Sequence, residues 1–325
     1  MNPKEIRIVF MGTPEFAVES LKTLVDNGYK VVGVITAPNK PSGRGRQITE
    51  SAVKKYAVEN GLYVLQPEKL KNPEFLAELA SLKADLQIVV AFRMLPEVVW
   101  KMPPLGTFNL HASLLPQYRG AAPLNWAIIN GEKETGVTTF LLDQEIDTGR
   151  IIFQERIGIG ENDSVGDLHD RMMSVGATLV LKTVDALAAG NVQAMDQTAL
   201  INNSDAVKHA PKIFKDDCRI DWAQDAESVR NLIRGLSPYP TAWTELFHPD
   251  KGEILTAKIY AATIDDFYKP REPGTLRSEC ETLMIACNDT WLSITDIQLS
   301  GKKRMKIEEL LRGFHKINEW RIKVD

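Results

Sequence analysis

Two side chains at the end of one apolar run pose the first chemical question. In TFNLHA (107–112) Asn109 and His111 stand two residues apart. Side chains alternate along a strand, so this spacing sets an amide and an imidazole on one face. The amide can donate to a developing oxyanion, and the imidazole can donate to it or move a proton. Further on, DQEIDTGRII (143–152) places Asp147 in an Asp-Thr-Gly turn, where nearby backbone amides can hold a carboxylate. The same tripeptide also suits a plain Asx-type turn. Amide, imidazole and carboxylate together make the set that acyl transfer to an amine needs. One group must stabilise a tetrahedral oxyanion and another must take the proton leaving the ammonium. Between them, Ser113-Leu114-Leu115-Pro116 leaves the strand as a stiff turn whose backbone groups offer a place for a flat heterocycle.

These residues need a sheet behind them. IRIVFM (6–11), VVGVIT (31–36), LQIVVAF (86–92) and TFNLHA are apolar, partly β-branched runs. Continuous apolar character predicts strands covered on both faces, as in a parallel sheet with crossover helices. Helical spacing recurs between them in 14–28, 51–61 and 73–82, with Pro14 and Glu15 suited to a first turn and Gly28 to an end. The fold class is therefore α/β, a doubly wound Rossmann-like domain. In such sheets ligands bind outside the carboxyl ends of the strands, where TFNLHA should finish. Two more strands (135–143 and 151–159) and a helix from about Ser164 to Ala189 complete this half. From about Asn191 the pattern changes. The expected organisation is an α/β catalytic domain over 1–201, a polar linker over 202–214 and a second domain over 215–325. One short helix (226–236) and short β-rich segments there predict a small β-barrel or sandwich.

With 325 residues, 44% hydrophobic and 25% charged, the chain can bury a substantial core. A net charge of −4 disfavours non-specific wrapping of nucleic acid. Residues 1–206 hold 20 Lys+Arg against 24 Asp+Glu, and residues 207–325 hold 19 against 19, so the second domain is no basic tail. No stretch reads as a membrane span or a signal peptide. Three cysteines without a CxxC pair read as reduced thiols in a cytoplasmic protein. His169, His209, His248 and His315 are scattered, so no metal site is expected.

FMGTPEF (10–16) sits where a strand meets a helix but lacks G-x-G-x-x-G. Pro14 removes an amide donor and Glu15 would repel phosphate, so a nicotinamide cofactor is not expected. The loop APNKPSGRGRQIT (37–49) carries Lys40, Arg44 and Arg46 with no acidic residue, which suits either a solvated loop or an anionic partner.

NLHASLLPQYRGAAP (109–123) with EIDTG (145–149) resembles the folate-dependent formyltransferases. The likeness to the tRNA-acting branch of that family continues through TAPNKPSGRGRQI, ETGVTTF, RIDW, NLIRGLSPYPTAW and GKKRMKIEELL, across both domains and in order. The resemblance implies an α/β formyl-transfer domain joined to a C-terminal OB-like barrel. It implies transfer of the formyl group of 10-formyltetrahydrofolate to the α-amine of methionyl initiator tRNA. Asn109, His111 and Asp147 become the catalytic trio, with Asp147 orienting His111, and Ser113, Leu114, Leu115 and Pro116 the folate lining. Lys40, Arg44 and Arg46 become tRNA contacts, with Lys208, Lys212, Lys302, Lys303 and Arg304 as further phosphate partners. No obligatory protein partner is implied. In IVVAFRMLP (88–96), Arg93 and Met94 stand where many relatives place a glycine, leaving pocket packing or contact with the folate tail as alternatives. A formyltransferase for a small amine and a non-catalytic RNA-binding module are the competing readings.

Overall fold

The computed structural model describes residues 1–42, 47–201, 206–269, 271–279, 281–314 and 317–323. It forms two compact units. The first comprises Met1–Gly120, Thr135–Gly158 and His169–His209, and the second Ala121–Glu134, Ile159–Leu168 and Ala210–Asp325. Besides 209/210, the chain passes between the units at 120/121, 134/135, 158/159 and 168/169, because two short excursions of the first half fold with the second unit.

The main sheet of the first unit is built from β1 (Ile8–Gly12), β2 (Val31–Ile35), β3 (Val64–Leu65), β4 (Leu86–Val90), β5 (Thr107–His111), β6 (Glu134–Leu141) and β7 (Ile151–Gly158). Their order is β7-β6-β5-β4-β1-β2-β3. β1 pairs in parallel with β2 and β4, β2 with β3, and β4 with β5, while β6 runs antiparallel to β5. The order reverses between β1 and β4, the place where doubly wound sheets open a crevice at their carboxyl ends. β1 and β4 are buried along their whole length, which is why they read as unbroken apolar runs.

Three helices cross between the first strands: α1 (Glu15–Asp26), α2 (Ala52–Glu59) and α3 (Pro73–Ser81). Ser51 caps α2 by accepting from the Lys54 amide, and Asn72 caps α3, whose first turn holds Pro73. A Cβ on Gly12 would come within 2.6 Å of the Ala17 Cβ and 3.0 Å of the Val90 carbonyl. Gly12 thus serves the close approach of α1 and β4 to β1.

Two further helices follow, α4 (Pro123–Ile129) and α5 (Val165–Ala189). By length and hydropathy α5 passes the test for a membrane span, which its sequence was not expected to do. Its packing is that of a core helix. Leu168, Met172, Val180 and Val184 are buried, Gly176 lies against Leu110, and the Thr183 and Thr139 hydroxyls share a 2.9 Å hydrogen bond.

The second unit combines α6 (Ala226–Gly235) and α7 (Ile307–Gly313) with strands β8 (Ala242–His248), β9 (Glu253–Asp265), β10 (Leu276–Glu279), β11 (Thr282–Ala286), β12 (Trp291–Leu299), β13 (Met305–Lys306) and β14 (Arg321–Ile322). The strand order is β10-β11-β12-β9-β8-β14, antiparallel, an OB-like barrel built around Leu246, Ile259, Leu292 and Ile294. Two contacts explain why the excursions belong here. Asn125 Nδ2 donates to the Gly235 carbonyl at 2.8 Å, and Arg230 and Arg234 donate to the carbonyls of Glu161, Gly160 and Asp163.

Candidate active site

β5 ends at His111, buried at 6% exposure. Its Nε2 lies 2.9 Å from the Tyr118 carbonyl. A carbonyl only accepts, so Nε2 carries a proton, and in the neutral tautomer this leaves the lone pair on Nδ1. Nδ1 stands 3.9 Å from Asp147 Oδ2. The structure therefore brings imidazole and carboxylate together but makes no direct hydrogen bond between them. The group that orients the ring is the Tyr118 carbonyl. Asn109 lies two residues back on the same strand, half-buried, with no hydrogen bond to its side chain among the described residues.

Asp147 occupies the left-handed region at φ 56°, a conformation that aspartate tolerates better than most residues. The Gly120 amide donates to its Oδ2 at 3.0 Å. Gly149 is required sterically, since a Cβ there would sit 1.7 Å from the Leu141 carbonyl oxygen. The Asp-Thr-Gly turn is thereby pressed against the end of β6.

Ser113, Leu115 and Pro116 are buried, and Leu114 is half-buried. The Ser113 hydroxyl donates to the Gln117 carbonyl at 2.6 Å, Leu115 packs with Phe140 and Ile151, and Pro116 is buried. Thr138 and Gln154 secure the turn, donating to the Ser113 and Leu115 carbonyls at 2.6 and 2.8 Å. These contacts stiffen the turn, whose backbone groups are the ones expected to meet a heterocycle. Arg93 is likewise occupied. Its guanidinium donates to the Pro67 and Glu68 carbonyls, and partial burial lowers its pKa. That fastens the exit of β4 to the 67–68 segment.

The cationic residues divide. Arg44 and Arg46 lie outside the described residues, and of Lys40 only the backbone is described, in a hairpin of Lys40–Ser42 with Gln47–Thr49. Lys208, Lys212, Lys302 and Lys303 are exposed. Arg304, expected at a phosphate, is exposed and also makes an ion pair within the second unit. Its Nε and Nη2 donate to the two carboxylate oxygens of Asp296 at 2.9 and 2.7 Å, and it lies 4.2 Å from the Tyr260 ring centre. Burial raises the Asp296 pKa, but the bonds and charge of Arg304 and Lys306 outweigh it and hold the carboxyl below its usual range. Among the described residues no group of three or more His, Cys, Asp or Glu is placed to hold a metal ion.

Gln197 was not singled out from the sequence. At 1% exposure it donates from Nε2 to the Asp147 and Gly149 carbonyls at 2.9 and 2.8 Å. No local pattern in DQTAL marks it, because its partners lie about 50 residues away.

An α/β sheet carrying Asn, His and Asp at its carboxyl rim, followed by an antiparallel barrel, matches one family along both parts. The chain belongs to the formyl transferase family: residues 6–184 match the formyl transferase model and residues 212–315 the formyl transferase C-terminal domain. It is 53% identical to a methionyl-tRNA formyltransferase of Bacteroides fragilis over 99% of each chain. It is 55% identical to one of Parabacteroides distasonis, covering 99% of this chain and all of that one. Among solved structures, an N-formyltransferase of Helicobacter canadensis, in complex with folinic acid and dTDP-3-aminofucose, has a TM-score of 0.64 at 23% identity, covering 92% of this chain and 100% of that one. HypX of Aquifex aeolicus in complex with tetrahydrofolic acid has a TM-score of 0.63 at 19% identity, covering 96% of this chain and 48% of that one. At these identities the two structures support the fold.

Proposed function

We propose that the protein formylates the α-amine of methionyl initiator tRNA, taking the one-carbon unit from 10-formyltetrahydrofolate. The observation that carries this reading is the likeness to methionyl-tRNA formyltransferases at 53–55% identity over essentially the whole chain, second unit included. The second unit alone does not choose the amine, since an N-formyltransferase in complex with dTDP-3-aminofucose covers 92% of this chain, but at 23% identity it is far less similar than the tRNA-acting relatives at 53–55%. A non-catalytic RNA-binding module requires no Asn109, His111 and Asp147 together.

The 3.9 Å between His111 Nδ1 and Asp147 Oδ2 suits a bridging nitrogen. An amine placed about 2.9 Å from each atom forms a triangle on that base and hydrogen-bonds to both. The two groups thus orient the amine lone pair toward the formyl carbon. As the new N–C bond forms, the carbonyl π electrons move to oxygen, and the unengaged Asn109 amide supplies a hydrogen bond to that oxyanion. Nδ1 takes the proton from the ammonium, with the Tyr118 carbonyl holding the other side of the ring and Asp147 offsetting the imidazolium charge. The same proton passes to N10 of the departing folate as the old C–N bond breaks, and His111 returns to its neutral form. The crevice between the ends of β1 and β4 is the place for the pterin. Lys40, Arg44 and Arg46, with Lys208, Lys212, Lys302 and Lys303, are the cations proposed to meet tRNA phosphates. These assignments suit a cytoplasmic enzyme of translation initiation.

The test is a transfer assay with 10-formyltetrahydrofolate and charged initiator tRNA, run beside charged elongator tRNA and glycinamide ribonucleotide. Formylation of the initiator species alone is expected. Turnover of glycinamide ribonucleotide with none of the tRNA would overturn the reading.

A further inference from the structure

Three consecutive residues reach the site in three different ways. The Tyr118 carbonyl faces His111 Nε2, and the Gly120 amide donates to Asp147 Oδ2. Between them, Arg119 donates from Nε and Nη2 to Gln197 Oε1 at 3.0 and 2.6 Å. The partners fix which way the Gln197 amide points. Arg119 can only donate, so it faces oxygen, and the Asp147 and Gly149 carbonyls can only accept, so they face nitrogen. Both protons of Nε2 are engaged, and Oε1 accepts twice, leaving a buried side chain fully satisfied. One amide therefore grips both ends of the turn that carries Asp147, at a residue already in the left-handed region.

We infer that Gln197, itself held by Arg119, is a positioning residue that keeps the Asp147 turn in register with His111. The inference rests on the reading of His111 and Asp147 as the groups that handle the substrate amine. Neither side chain needs to touch substrate. Their work is to hold the carbonyls of 147 and 149 so that Oδ2 stays 3.9 Å from Nδ1. No other natural side chain of that length offers two donors to the turn and an acceptor to the guanidinium. Glutamate keeps the Arg119 contact and loses both donors, and leucine loses everything but volume.

The experiment compares Gln197→Glu, Gln197→Leu and Arg119→Met with Asp147→Asn, measuring kcat and both KM values, with the folded fraction taken from thermal unfolding. Displacing reacting groups by about 1 Å costs on the order of 100-fold. Both Gln197 variants should therefore lose about 10- to 100-fold in kcat per folded molecule, with the KM for formyl donor and for tRNA within about 3-fold of the parent. Arg119→Met should lose less, and adding it to Gln197→Leu should cost little more, because the two act in series. Gln197→Glu separates clamping from packing, since it preserves volume and the arginine partner. If Asp147→Asn abolishes turnover while both Gln197 variants keep kcat within 3-fold, this inference is refuted and the site reading stands. If Asp147→Asn itself turns over normally, the site reading fails first. A loss that disappears once activity is scaled to folded protein also refutes the positioning role, and Arg119→Met serves if the Gln197 variants do not fold.

Discussion

His111→Gln separates the two jobs given to the imidazole. A glutamine amide nitrogen can stand where Nε2 stands and donate to the Tyr118 carbonyl, 2.9 Å away in the parent. It places nothing at Nδ1, the atom 3.9 Å from Asp147 Oδ2. Because the Tyr118 carbonyl keeps this donor, the stability cost should be small, about 1 kcal/mol, whereas His111→Ala removes the donor and should cost about 1–3 kcal/mol. The rate should respond the other way. Losing a group that relays a proton costs about 10²- to 10⁴-fold, equivalent to about 3–5 kcal/mol of barrier. His111→Gln is thus expected to melt near the parent while kcat falls at least 100-fold. Thermal unfolding and a steady-state formyl-transfer assay with charged initiator tRNA read the two quantities on one preparation. Turnover within 10-fold of the parent would refute proton transfer through Nδ1. An unfolding shift as large as that of His111→Ala would refute the assignment of Nε2 to the Tyr118 carbonyl.

The remaining expectations follow from contacts described above. Gly149→Ala forces a Cβ to within 1.7 Å of the Leu141 carbonyl, so the turn must move. Overpacking of this kind costs about 1–3 kcal/mol, and kcat per folded molecule should fall on the order of 100-fold. Arg304→Met should destabilise the barrel without changing the KM for tRNA. The Asp296 carboxyl is held below its ordinary range in the folded state, so its stabilisation is present above the unfolded pKa, about 3.9, and is lost as pH falls through the folded value. Urea unfolding of the parent between pH 6 and pH 3 should show that loss, and Arg304→Met should flatten it. Burial, with the nearby carboxylates Asp289 and Asp225, pushes the Cys287 thiol up to about 12. In a Cys280→Ser background it should resist thiol reagents at pH 8 until the protein unfolds. Arg44→Ala should weaken tRNA use and spare folate binding, measured by the two KM values. Equal loss of both would remove it from the tRNA contacts.

What the sequence makes legible depends on where the determinant lies. β1 and β4 are unbroken apolar runs because both faces are covered, so their existence and type can be read directly, with ends displaced by a residue or two. The pairing of Asn109 with His111 follows from strand period alone. The approach of Asp147 does not. It depends on the antiparallel register that sets β6 beside β5, and on Gly149 pressing against Leu141. The two-residue strand Val64–Leu65 and the recruitment of Ala121–Glu134 into the second unit carry no local pattern. The ion pair of Arg304 is likewise hidden from the sequence, because Asp296, its partner across eight residues, is buried only once the barrel forms.

The site itself shows why residue types alone stop short. The atom that sets the His111 tautomer is a main-chain carbonyl, and the one that fixes Asp147 Oδ2 is a main-chain amide. Any residue but proline supplies both groups, so side-chain identity at Tyr118 says nothing of its role. What the chain must specify is the path of 118–120, with Tyr118 at φ 60° and Gly120 at φ 126°, so that successive peptide groups face opposite partners. Gly120 meets that demand by its missing Cβ, and Arg119 by an anchor on buried Gln197. The geometry of the candidate site is therefore encoded as backbone conformation, enforced by residues that need not meet the substrate. Substitutions at Gln197 or Gly149 should consequently resemble active-site lesions in kcat while leaving substrate affinity near that of the parent.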